Sequence, residues 1–236
     1  MLPRWQASNF FPRHNDPQIL DVSVLLVLDS GFYYQEWMPR PAKFTSREIL
    51  DAAARIVAVG GPPAATMGAI AHALKAPSGS IYHRFASRDE LLGRLWLDKI
   101  AAFQTGALAA LAHEAPQEAA IGAAHFILNW VRLDPEAARI VITHRRAEFE
   151  GAGWPQDMAA EARRLGTALE EGLDAITYRL FGAITPDLRQ AARFSIVDIP
   201  YAAVRPHIAR GEPPPLSLDP LVRAAVIASL DAARRR

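Results

Sequence analysis

The sequence predicts an all-α fold, with three short helices on the N-terminal side and a larger helical body behind them. Three observations carry that expectation. From Thr45 onward apolar residues recur with the 3.6-residue period of helices. The periodic segments are separated by Gly, Pro and N-capping residues at the positions where helices stop and start. Beyond residue 40 no segment alternates with the two-residue period of a strand.

The elements follow in order. Thr45 or Ser46 can cap a first helix, with Glu48 in its first turn to suit the helix dipole. Ile49, Ala53, Ile56 and Val57 form its apolar stripe, Gly60-Gly61 ends it, and Pro62-Pro63 forbids its continuation. Thr66 caps a second helix that turns Met67, Ile70, Ala71 and Leu74 inward. A tight turn at Lys75-Ala76-Pro77 leads to a third helix from Ser78 to about Phe85, with Pro77 suited to a helix start. Ser87-Arg88-Asp89-Glu90 reads as a capping box opening a long helix that carries Leu91, Leu92, Leu95, Trp96, Ile100 and Phe103. Further helices are expected over 116–132, 135–149, 155–181, 186–209 and 219–234. Pro200 and Pro206 should kink or interrupt the fourth of these, and 211–215 should be a stiff exposed loop.

Residues 1–37 differ from the rest. They hold Pro3, Pro12, Pro17 and one β-branched run, with no helical period. They are expected to be an extension outside the core fold, with Met38 as the natural start and 38–43 as a basic arm. The domains are then 1–37, 38–92 and 93–236. The most apolar run, Val22 to Leu28, is seven residues long, far short of the roughly 20 that span a bilayer, and no membrane association is expected.

Composition excludes several chemistries. The 236 residues are 50% hydrophobic, enough for a real core, and contain no cysteine. Disulfides, thiolate metal sites and cysteine nucleophiles are therefore excluded, and a reducing, cytoplasmic setting is expected. The seven His show no HExxH spacing, and no G-x-S-x-G, phosphate-binding or dinucleotide-binding glycine pattern exists. Neither enzymatic activity nor a cofactor or metal site is expected. The net charge of +1 hides an uneven distribution: 1–37 carry −2, 38–90 carry +3 and the remainder sums to zero.

The positive excess coincides with the three short helices. Two helices joined by a three-residue turn make a helix-turn-helix whose second helix enters a major groove. Ser78 and Ser80 can meet base edges or phosphates, and Gly79 lets the backbone approach the duplex. Tyr82 and His83 offer polar tips to phosphates, with Arg84 and Arg88 adding charge. The stretches Ile49 to Ala53, Thr66 to Ala71, Ser78-Gly79-Ser80-Ile81-Tyr82-His83-Arg84-Phe85 and Ser87 to Leu92 together resemble the N-terminal domain of the TetR family of bacterial transcriptional regulators. The resemblance covers Phe44 to Leu92. It implies that Thr66, Tyr82, His83 and Arg88 contact phosphates and that Ser78 and Ser80 face bases. Two positions depart from the family pattern: Lys75 stands where glycine is usual, and Ser78 replaces a common lysine.

In the body, Phe126, Trp130, His144 and Met158 are candidate effector-pocket residues, since aromatics with a few polar groups suit a small-molecule cavity. Leu221, Ala225, Ala228 and Ala232 form a small-residue stripe at i, i+4, i+7 and i+11, suited to close helix packing. The resemblance implies a homodimer joined through the last two long helices. A two-fold dimer would match a palindromic double-stranded DNA operator. The expected function is a ligand-responsive DNA-binding regulator, a repressor released by a small-molecule effector. The alternatives are a constitutive DNA-binding protein without effector and an all-helical enzyme bearing a DNA-binding head.

Overall fold

The computed structural model describes residues 44–151 and 154–235. The expected extension at 1–37 and the basic arm at 38–43 lie outside the described residues. Among the described residues there is no strand, and the all-α expectation holds.

The N-terminal head comprises α1 (Ser46–Gly60), a 3-10 turn (Pro62–Ala64), α2 (Met67–Leu74) and α3 (Ser78–Tyr82). Thr45 and Glu48 cap α1 reciprocally: each side chain accepts from the other residue's backbone N–H. The Thr45 backbone N–H, and to a lesser extent the Thr45 hydroxyl, donate to the Glu48 carboxylate and hold that carboxyl below its usual range. Thr66 caps α2 by accepting from Ala69 N–H at 3.0 Å. The predicted third helix is shorter than expected, though Phe85 N–H still bonds Ile81 at 3.0 Å. Ile49, Val57, Ile70, Ile81 and Leu91 are fully buried at the centre of the head.

The body comprises α4 (Arg88–Leu111), α5 (Pro116–Leu133), α6 (Pro135–Thr143), α7 (Ala147–Glu150), α8 (Gln156–Phe181), α9 (Pro186–Arg193), α10 (Ile199–Arg210) and α11 (Leu218–Arg234). Ser87 caps α4 as expected, but Glu90 reaches back to Ala86 N–H rather than to Ser87. The boundary drawn at 92/93 falls inside α4, a continuous helix. Its first turns bury Leu91, Leu92 and Leu95 in the head core, while Phe103, Ala107 and Leu111 lie in the body core.

Two expected helices are broken. The 135–149 helix divides into α6 and α7, with His144 extended at φ −114° and ψ 153°. The Glu148 carboxylate accepts from Arg145 N–H at 2.7 Å and pairs with the His144 ring at 2.9 Å. This local cap competes with continued helix, and the Arg145 backbone bond is the main reason the Glu148 carboxyl lies below its usual range. The 186–209 helix is interrupted by a π turn at Phe194–Asp198, where Ile199 N–H bonds the carbonyl five residues back. Pro200 explains its position. Proline has no N–H for the carbonyl of Ile196 and its ring crowds that carbonyl, so the widened turn relieves the clash just before the proline. The 211–215 loop is exposed except at Pro214, and it is tied down. Pro214 is buried, and the Arg132 guanidinium donates to the Pro214 and Pro215 carbonyls and to Asp219.

Candidate nucleic-acid interface

The short helix α3 is held by one inward anchor. Ile81 is fully buried against the α1–α2 core, and Phe85 just beyond is buried beside it. With those two inside, the intervening side chains are turned outward. Ser78, Gly79, Tyr82 and His83 are exposed, Ser80 is half-buried, and Thr66 is exposed at the start of α2. Tyr82 is a large aromatic with 55% of its surface open to solvent. Six of the seven residues singled out from sequence thus line the outer side of α3 and the start of α2. Lys75 and Arg84 are exposed close by in the chain.

Gly79 is informative because the fold does not require it. A Cβ built there would meet nothing within 4 Å. Glycine in a helix costs about 1 kcal/mol relative to alanine, so the missing side chain leaves room for something outside the chain. Lys75 meets the departure noted in the sequence directly: it adopts φ 51°, the one left-handed non-glycine residue among those described.

The seventh residue, Arg88, is placed differently from the expectation. Its guanidinium turns back into the head, donating through Nε to the Ala65 carbonyl at 3.0 Å and through Nη2 to that of Pro62. Two of its donor positions are occupied in holding the 3-10 turn against α4, so its first role is positional. No local sequence signal indicated this, since the partners lie 23 and 26 residues away.

The four candidate pocket residues do not converge on one site. Phe126 and Trp130 on α5 pack against Phe103 of α4, with ring centroids 5.7 and 4.7 Å apart, and Tyr201 of α10 completes the group at 6.4 Å from Phe103. His144 sits apart from those rings on a cleft shared with Tyr201. Met158 is excluded from both places. It is fully buried between α4 and α8 with Leu97, Trp96 and Trp154, filling the space that Gly93 leaves open. The sequence reading missed Gln104, whose buried Oε1 has no hydrogen-bond partner among the described residues.

The head and body meet through α6 and α7 as well as α4. Ile140 and Phe149 are buried in the head core, whereas Ala138, two residues before Ile140, belongs to the body core. Glu136 at the start of α6 feels Lys99 of α4 and Arg55 and Asp51 of α1, and desolvation pushes its carboxyl above the usual range. Among the described residues no three His, Asp or Glu side chains form a metal-holding group, and no helix is long and apolar enough to cross a membrane.

Comparison with known proteins agrees with this geometry. Residues 49–95 match the family model for bacterial regulatory proteins of the tetR family. Solved structures of similar fold include a TetR-like transcriptional regulator from Rhodococcus sp. RHA1, 18% identical with a TM-score of 0.60, covering 78% of this chain and 94% of that one. A second is the transcriptional regulator FadR from Bacillus subtilis in complex with stearoyl-CoA, 16% identical with a TM-score of 0.60, covering 78% and 99%. A third is the TetR-family regulator PfmR from Thermus thermophilus, 22% identical with a TM-score of 0.57, covering 78% and 97%. At these identities the likeness is one of fold. No curated protein sequence matches the chain. Over residues 49–95 the head of this chain therefore matches the DNA-binding helix-turn-helix domain of the tetR family of bacterial regulatory proteins, and it is carried on an all-helical body.

Proposed function

We propose that this chain is a homodimeric transcriptional repressor that binds a palindromic operator and is released from it by a small molecule held in the body. The observation that carries the reading is the outer face of α3, where Ser78, Gly79, Tyr82 and His83 are exposed over a buried Ile81. Folding alone gives no reason for an exposed aromatic beside a glycine that nothing crowds. A duplex approaching closely supplies one, with Tyr82, His83 and Thr66 at phosphates and Ser78 and Ser80 at base edges.

The dimer is supported by the outer face of α11. Val222, Val226 and Leu230 are buried within the chain, while Leu221, Ala225, Ala228 and Ala232 are exposed. The small-residue stripe is therefore not consumed by packing inside one protomer. Two heads joined by a two-fold axis would meet successive major grooves about 34–36 Å apart. Release follows from shared elements: α4 and α6 contribute to both cores, so a ligand that shifts them in the body changes the set of the head.

DNase footprinting on the DNA upstream of the chain's own gene tests the reading. A protected palindrome that is lost on adding an effector is the expected result. The effector screen should include long-chain acyl-CoA, because FadR of Bacillus subtilis was solved with stearoyl-CoA. Equal affinity for every duplex, with no protected site, would sink the operator claim. A protected site that no compound in the screen releases would favour a constitutive DNA-binding protein.

A further inference from the structure

A cleft of about 430 Å3 lies where the α6–α7 connection meets α10, with Ile142, His144 and Arg145 on one side and Asp198, Tyr201 and Arg205 on the other. Most arginines of the body are already committed. Arg132 is bound to Asp219, Arg146 to Glu150, Arg189 to Asp174 and Arg223 to Glu118. Of the body arginines whose guanidinium makes no hydrogen bond or ion pair among the described residues, Arg145 and Arg205 are the two that line this cleft. The acids nearby do not occupy them. The Asp198 carboxylate likewise has no hydrogen-bonded partner there, and Glu148 is taken up by Arg145 N–H and the His144 ring, the Arg145 charge being only a lesser influence on it.

The other side of the cleft carries one aromatic ring, that of Tyr201. The Tyr201 ring packs on Phe103, which in turn meets Trp130 and Phe126, so Tyr201 links the cleft wall to the aromatic group of the body. The Tyr201 hydroxyl makes no hydrogen bond among the described residues. Burial pushes its pKa up to about 12, so it stays a neutral donor. In the comparable cleft between α8 and α9, Arg189 is already bidentate on Asp174, and Arg193 shares the lining with two carboxylates, Glu170 and Asp174.

We infer that this cleft binds a small organic acid, its carboxylate or phosphate held by Arg145 and Arg205 and its apolar part resting on Ile142 and the Tyr201 ring. Guanidinium forks match the two oxygens of such groups and form the stronger, charge-assisted kind of hydrogen bond. A cleft of this size suits a ligand of one or two rings. The inference rests on reading the body as the effector domain, and it names the class of effector. The coupling is short. The wall carrying Ile142 and His144 is the end of α6, whose Ile140 is buried in the head core, and Phe149 beyond Arg145 is buried there too. An acid that draws the α6–α7 connection toward α10 acts on the same element.

Calorimetric titration of the full chain with benzoate, phenyl phosphate and neutral benzamide tests it. Saturable binding of at least one acid and none of benzamide is expected. The double variant Arg145→Ala/Arg205→Ala should weaken that binding about tenfold or more, the scale of one lost charge-assisted contact. Asp198→Asn should tighten it, since it removes a carboxylate facing the anion. All three positions are exposed, so circular-dichroism melts should match the parent. Benzamide binding as well as the acids, acid binding unchanged in the double variant, or no saturable binding by either acid overturns the inference. Arginine-dependent acid binding that leaves the operator footprint unchanged upholds the site and overturns release by this ligand. Arginine-dependent binding by a chain that footprints no DNA upholds the site and sinks the operator claim instead.

Discussion

The Arg88 guanidinium, in the first turn of α4, donates to the main-chain carbonyl of Ala65 at 3.0 Å and so fastens the body's longest shared helix to the turn that precedes α2. This fork and the core beneath it tie the start of α4 to the head. Arg88→Ala should lower stability by about 1–3 kcal/mol, the cost of leaving buried acceptors unpaired, read as a shift in the urea midpoint. Arg88→Lys separates two roles. A lysine keeps the charge but not the fork, so a positional arginine is not rescued by it, whereas a simple phosphate contact largely is. Full recovery of both midpoint and DNA affinity by Arg88→Lys would return Arg88 to the phosphate-binding group.

Tyr82 and Phe85 stand three residues apart and should behave oppositely. Tyr82 is 55% exposed, whereas Phe85 is 5% exposed. Tyr82→Ala is expected to weaken binding to operator and to unrelated duplexes alike, by about 1–3 kcal/mol, with an unchanged melting temperature. Phe85→Ala should instead destabilise the head by about 3–5 kcal/mol. Gel shifts beside thermal melts decide. A Tyr82→Ala variant that melts early but binds normally when folded would make Tyr82 a packing residue.

Much of the head was legible because its determinants are local. Thr45, Thr66 and Ser87 each bond a backbone N–H three residues ahead, and such caps are visible in sequence. The outward set of α3 follows from one buried residue, Ile81, in a helix too short to bury more. The body was legible only as helices. Arg88 reaches carbonyls more than twenty residues back, and Ile140 and Phe149 cross into a core whose other members are almost all before residue 96. No periodicity encodes such pairings. Met158 shows the same limit: its helical spacing is that of any core residue, and only tertiary structure places it over Gly93 rather than beside Trp130.

The exposed stripe on α11 makes the dimer testable. Ala228 is exposed, whereas Val226 and Leu230 on the same helix are buried. Ala228→Arg therefore leaves the protomer's own core intact and places a long charged side chain in the proposed interface. Sedimentation velocity is expected to show a dimer for the parent and a monomer for the variant, with operator affinity falling because one head binds alone. A variant that remains dimeric removes this stripe from the interface.

Acid should loosen α1 in a defined window. The Glu48 carboxyl has an ordinary value of 4.5 and is held lower in the folded chain by Thr45. A carboxylate depressed on folding contributes stability that is present above 4.5 and lost as pH falls through the folded value. Glu48→Gln should therefore flatten that part of the stability profile below pH 4.5 while leaving the slope above it unchanged. Urea midpoints across the acid range read the difference. An identical acid slope in parent and variant would show that the cap does not respond to protonation.

Lys75 gives the clearest case of a residue at odds with its own backbone. It ends α2 in the left-handed region at φ 51°, with its N–H bonded to the carbonyls of Ala71 and His72. A side chain in that conformation costs about 1–2 kcal/mol, while glycine there would cost about 0.5–1 kcal/mol in lost chain freedom. Lys75→Gly should therefore be neutral to stabilising, by up to about 1 kcal/mol, although it deletes a side chain. The lysine is exposed and lies in the turn just before α3. If its charge serves the nucleic-acid interface, the same variant should bind DNA more weakly and lose about one unit of salt slope. Greater stability with weaker, less salt-dependent binding would mean that strain at this turn is kept for the charge it presents. Greater stability with unchanged binding would leave Lys75 a tolerated substitution at a glycine position.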